Sequence, residues 1–183
     1  MDLTLDLNRL RLTPGSVGCV YSNAFFEHLL RTSQLDHLEA VAESLDPSTG
    51  FVCYTGIPYF RNIAKFYLEG APGTAGPVFD LYNVYRYTHG DPDRMPTWYY
   101  EQLHKSLFDE TVLSELLERS SLRSYAMFVY AFPGDVNEVP VNMGFYATSR
   151  LVSAESIERA CIQFLQDFDG RFVRLATVEF IHG

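Results

Sequence analysis

A chain of 183 residues fits one compact domain, because domains run about 100–200 residues. Forty-seven per cent of it is hydrophobic and only 20% is charged, which excludes a disordered chain. A formal net charge of −9 excludes the phosphate-neutralising surface of a nucleic-acid binder and argues against an anionic membrane as partner.

Fourteen Phe and twelve Tyr promise a large aromatic core or an aromatic-lined cleft. Cys19, Cys53 and Cys161 are odd in number and widely spaced, which argues against a disulfide framework or a CxxC metal site and for a reducing compartment. The opening Met-Asp-Leu-Thr-Leu-Asp-Leu has acid where a signal peptide needs base. No apolar run approaches the ~18 residues of a membrane span. The expectation is a cytoplasmic protein, a single domain over 1–183, whose partner is a protein or a small molecule.

In chain order, Leu3, Leu5 and Leu7 alternate with polar residues as in a half-buried strand. Ser22 or Asn23 could cap a helix to about Arg31. Leu35, Leu38, Val41, Ala42 and Leu45 recur on one helical face that Asp46-Pro47 stops. Residues 51–55 read as a short strand, and Pro58 as the first-turn proline of a helix to about Leu68. The Gly/Pro-rich stretch 70–77 is a loop.

Alternating β-formers over 78–88 predict a long strand, followed by a turn-rich connection over 89–96. Residues 97–108 and 109–119 read as helices. The uncharged 125–132 suits an interior strand, and 141–149 reads as another. Ser153 is a helix N-cap before an apolar stripe of Ile157, Cys161, Phe164, Leu165 and Phe168. Residues 172–181 read as a last strand. The fold class is α/β (or α+β), a mixed sheet flanked by helices.

No P-loop, GxGxxG, GxSxG, HExxH or zinc pattern occurs, so no metal site is expected. His28, His37, His89, His104 and His182 stand in five separate contexts, and His104 reads as a surface residue. Cys53 and Cys161 fall in apolar elements as inert thiols. The most suggestive order is Arg86 and His89 at one strand end, Tyr146 and Ser149 in a later strand, and Glu179 in the last.

That order resembles the ADP-ribosyltransferase pattern, in which such residues hold a nicotinamide dinucleotide. Arg86 and Ser149 would bind the cofactor, Tyr146 would offer an aromatic face, and Glu179 would stabilise an oxocarbenium-like transition state, with His89 as a further catalytic group. Strand parity limits the idea: Arg86 and His89 fall on opposite faces of a regular strand, as do Tyr146 and Ser149. Glu179 shares its face with apolar residues and reads as a buried carboxylate, whose bland partner is Arg86 or Arg174. For a glycosidase, Asp135, Glu138 and Glu179 are the available carboxylates.

Three segments carry a family resemblance: Leu122-Arg-Ser-Tyr-Ala-Met-Phe-Val-Tyr-Ala-Phe-Pro-Gly134, Asn142-Met-Gly-Phe-Tyr-Ala147 and Phe172-Val-Arg-Leu-Ala-Thr-Val-Glu-Phe-Ile-His-Gly183. From about residue 51 onward the chain resembles the Plast family, the RolB/RolC-type proteins encoded on T-DNA, and RolC-type members most of all. The resemblance implies an effector of plant growth and hormone response in the host-cell cytoplasm. It also implies an ADP-ribosyltransferase-like fold, and an activity assigned in the family as hydrolysis of cytokinin or indole glucosides. No cofactor is required on this reading, and NAD enters only for a transferase. A rival reading is an acidic immunity or inhibitor protein with a basic partner.

Overall fold

A computed structural model describes residues 13–74, 76–90, 103–168 and 171–183. Five strands form one mixed sheet in the order β1-β2-β4-β3-β5: β1 Cys19–Asn23, β2 Phe51–Pro58, β3 Ser124–Tyr130, β4 Asn142–Thr148 and β5 Glu179–Ile181. β1 runs parallel to β2, and every other pairing is antiparallel. Among the described residues the α-helices are α1 (Gln34–Ser44), α2 (Phe60–Glu69), α3 (Leu81–His89), α4 (Glu110–Glu118) and α5 (Ala154–Leu165). The mixed sheet flanked by helices is the expected class.

Each face of the sheet holds a core. On one, Val52, Tyr54, Met127, Val129, Met143, Phe145 and Ala147 meet Leu38 and Val41 of α1 and Leu113 and Leu117 of α4. On the other, Cys53, Ala126, Phe128, Tyr130 and Tyr146 meet Ile157, Cys161 and Leu165 of α5. The alternation of partners along β3 and β4 follows from the period of two. Burying each large aliphatic side chain removes apolar area worth about 1.5–3 kcal/mol. A smaller cluster joins Ile63 of α2 to Phe79, Val139 and Val141.

The period slips once. Val52 and Tyr54 face the α1 side, and so does Ile57, because the register with β4 shifts between Tyr54 and Ile57. Gly56 absorbs the bulge at φ +80°, where a Cβ would lie 2.5 Å from the Ala24 nitrogen, and its N–H donates to the Tyr130 hydroxyl at 2.7 Å.

α5 starts where expected: Ser153 Oγ accepts the Ser156 N–H, and Ile157, Cys161 and Leu165 bury one stripe. Burial pushes the Cys53 and Cys161 thiols above their ordinary range, as inert core thiols require.

Four expectations are corrected. Residues 19–23 are a strand, and Asn23 Oδ1 accepts from the Thr55 hydroxyl instead of capping a helix. Pro58 closes β2, and the helix begins only at Phe60. Residues 81–88 of the expected long strand belong to α3, because Asp80 Oδ1 accepts the Asn83 N–H at 3.0 Å as an N-cap. Residues 172–181 hold a 3₁₀ turn, Leu175–Thr177, and only the three-residue edge strand β5. The strand over 3–7 and the greater part of the 89–96 connection lie outside the described residues, as do 97–102 of the 97–108 helix, whose described remainder is not helical. Among the described residues, no helix is long and apolar enough to cross a membrane.

Candidate functional site

The predicted site residues do not share a cleft. Tyr146 projects from β4 toward α5, with its ring stacked on Phe51 at a centroid distance of 4.8 Å and 18° between planes. Glu179 pairs with Val129, a residue of the opposite core, and paired residues share a face. Glu179 therefore stands on the other side of the sheet from Tyr146. It is exposed, not buried, because it opens the short edge strand. Arg174, one of its two expected partners, is bound to Glu138 at 3.0 Å.

Arg86 and His89 lie on α3, so the strand-parity argument does not apply to them. The Arg86 guanidinium lies 5.7 Å from the centroid of the Tyr87 ring. Burial pushes the Asp135 carboxyl up to about 6, an effect that the Arg86 charge partly offsets. His89 stacks on Tyr85 at 4.8 Å, and its Nδ1 lies 2.8 Å from the Thr88 hydroxyl. Helical spacing thus turns His89 toward its own helix and Arg86 toward Tyr87 and Asp135.

Ser149 borders an open hollow. Two adjoining hollows of about 570 and 550 Å³ share Ser121 and Ser149. The first is walled by Glu118, Arg123 and Tyr125, the second by Asp36, Glu39 and Glu43 of α1. The end of α4 and the start of β3 form the divide: Ser121 donates its N–H and its hydroxyl to Glu39 at 2.8 and 2.5 Å. Tyr125 donates to Glu118 at 3.3 Å. Burial, followed by the Glu118 charge, holds the Tyr125 phenol above its usual range. Arg123 fixes the corner by donating its N–H to the Thr148 carbonyl at 2.8 Å.

The groove is thus a wall of carboxylates with one guanidinium at its rim. Ionised carboxylates only accept hydrogen bonds, so the surface suits a donor-rich ligand, either a polyol or the cationic side chains of a peptide. The Ser149 hydroxyl donates to the Ala42 carbonyl at 3.4 Å and Ser121 to Glu39, and no histidine lines either hollow among the described residues. The groove has no activated nucleophile of the serine–histidine kind.

The histidines are not five separate contexts. His28 and His104 meet edge to face at 4.9 Å beside Glu27, and these three residues could hold a metal ion. His104 is half-buried, not a surface residue. Sequence spacing offers no signal for this cluster, since its two histidines are brought together only by tertiary packing. His37 is likewise buried, its Nε2 2.6 Å from the Tyr54 hydroxyl. Phe25 and Phe26 crowd the pair, and burial pushes the imidazole down to about 4.

No family model matches the chain, and no curated protein is similar to it. Among solved structures, the chain is similar to a SAM-dependent methyltransferase, a possible histamine N-methyltransferase, from Thermotoga maritima, with 12% identity and a TM-score of 0.45. The match covers 76% of this chain and 58% of that one, so the chain spans less than two thirds of its neighbour's length.

Proposed function

We propose that this chain is a Plast-type effector that modulates plant growth and hormone response by binding a host ligand rather than by turning over a substrate. The acidic groove around Ser121 and Ser149 carries the reading. It presents Glu39 and Glu118 as pre-positioned acceptors for a donor-rich ligand, and we take a basic host protein surface as that ligand. The separation of Tyr146 from Glu179 by the sheet supports binding over an NAD-dependent transferase. The groove carboxylates act mainly through encounter and selectivity, so capture should weaken steeply with salt.

The test uses expression in plant tissue alongside the purified chain. Wild type should alter growth, the E39Q/E118Q double variant should fold yet fail to do so, and neither protein should release aglycone from a cytokinin glucoside. Aglycone release by wild type that the double variant loses would overturn binding in favour of a glycosidase. A rise in Tm with NAD would overturn it in favour of a transferase. Absence of any growth response to wild type would remove the Plast reading itself.

A further inference from the structure

We propose that Glu27, His28 and His104 form a binding site for a divalent first-row transition ion, with zinc(II) as the working ligand. The three residues offer ligand atoms that all lie within 4.8 Å of one another. His28 Nε2 and Glu27 Oε1 are already 3.6 Å apart. Tetrahedral zinc with bonds of about 2.0–2.1 Å would set its ligand atoms roughly 3.4 Å apart, so closure needs side-chain shifts of about an ångström.

The orientation of the rings is the stronger observation. His28 Nδ1 lies 3.1 Å from the Leu103 carbonyl oxygen and His104 Nδ1 2.8 Å from the Tyr87 carbonyl oxygen. A carbonyl only accepts, so each Nδ1 carries the proton and each Nε2 is left as the free lone pair. A backbone carbonyl holding the far nitrogen is the outer-shell support that metal-bound histidines have. The His28 imine faces, and a ring nitrogen of His104 lies within 4.8 Å of, a carboxylate that is 1% exposed and whose Oε2 has no hydrogen-bond partner among the described residues. Acceptor atoms facing acceptor atoms in a buried place call for a cation or a proton between them.

The backbone makes the arrangement stiff. The Glu27 carbonyl accepts the N–H groups of Lys105 at 2.8 Å and Ser106 at 3.2 Å, and the His104 N–H donates to the His89 carbonyl at 3.3 Å. An ion here would pin the 3₁₀ turn Phe26–His28 to residues 103–106 and to the C-terminal end of α3. Two imidazoles and one carboxylate suit zinc, iron or cobalt, whereas calcium and magnesium take oxygen ligands. The rival occupant is a proton: a neutral Glu27 carboxyl hydrogen-bonded to His28. With no cation present, burial pushes that carboxyl up to about 8 and favours the proton as occupant.

The full chain, stripped with chelator, is titrated with zinc(II) and separately with cobalt(II), and the metal retained after gel filtration is counted. The expected result is one equivalent bound. Zinc at a hundredfold excess over its dissociation constant should raise Tm by roughly 5–10 °C. Cobalt should show ligand-field bands without a thiolate charge-transfer band. E27Q and H104Q should each weaken zinc by at least about a hundredfold, since losing even an outer-shell partner costs about 10–100-fold. C19S, which removes the exposed thiol, should bind as wild type. If H104Q does not fold, the nearly isosteric E27Q and the cobalt spectrum of wild type decide. Failure to retain an equivalent, equal affinity in E27Q, or a thiolate band would overturn the site and leave the proton as occupant. These outcomes are independent of the groove and of the growth assay.

Discussion

His37 should make the protein acid-sensitive. Its ring sits in the α1-side core with Phe25, Phe26 and Tyr54 around it, and burial lowers its pKa from 6.5 to about 4. The folded pKa is the lower one, so between about pH 4 and 6.5 the unfolded chain binds more protons. Stability therefore rises with pH across that window. The stabilisation is nearly complete at pH 7, is lost as pH falls through 6.5, and the loss levels off below about 4. The total is about 3 kcal/mol, and about 2 kcal/mol of it disappears between pH 7 and pH 5.

Urea unfolding at the two pH values measures this as a midpoint shift of roughly 1 M, given m-values of about 1–3 kcal/mol/M. The same comparison in His37→Phe removes the contributions of other groups, such as Asp135 and His104, by difference. In either protein Tyr54 keeps its hydroxyl in the core, so the variant is destabilised at both pH values while the His37 part of the slope vanishes. His37→Gln serves if Phe overpacks the site. A variant that keeps the full wild-type slope, or an imidazole resonance that titrates near 6.5 in the folded protein, would refute the reasoning.

Gly144→Ala should destabilise by about 1–3 kcal/mol in thermal or urea melts, because overpacked sites force neighbours aside. Its Cβ would lie 2.5 Å from the Tyr54 carbonyl oxygen and 2.7 Å from the Phe128 ring. Ser153→Ala removes the acceptor for the Ser156 N–H at the start of α5 and should cost about 1 kcal/mol, read as a lower Tm with the fold unchanged by circular dichroism.

How much was legible depended on whether local pattern and local chemistry agreed. In α5 they did: the Ser153 cap and the stripe at 157, 161 and 165 state one helix. Over 78–88 they disagreed. Val, Phe, Tyr and Thr at alternating positions mimic a strand, yet Asn83, Val84, Tyr87 and Thr88 are the residues turned inward, the i, i+1, i+4, i+5 face of a helix. The informative signal was Asp80 three residues before Asn83, a short-range cap that outweighed β propensity. β2 was underestimated for a different reason. The Gly56 bulge breaks its period, so an alternation test ends the strand at 55 while pairing continues to Pro58.

The candidate catalytic set fails through register, which no count of residue types can supply. Phe180 pairs with Phe128 and meets its ring edge-on at 6.4 Å, while Ile181 pairs with Met127 and packs into the α1-side core. Those two contacts lock β5 against β3 and commit Glu179 to the face opposite Tyr146. A slip of one residue would bring the carboxylate to the Tyr146 side, but it would also carry Phe180 out of the α5-side core and Ile181 out of the other. Losing two apolar contacts outweighs any gain from one carboxylate, so the register holds. Glu179 has a sufficient physical role where it stands. A charged residue at the start of a short edge strand discourages another chain from pairing there.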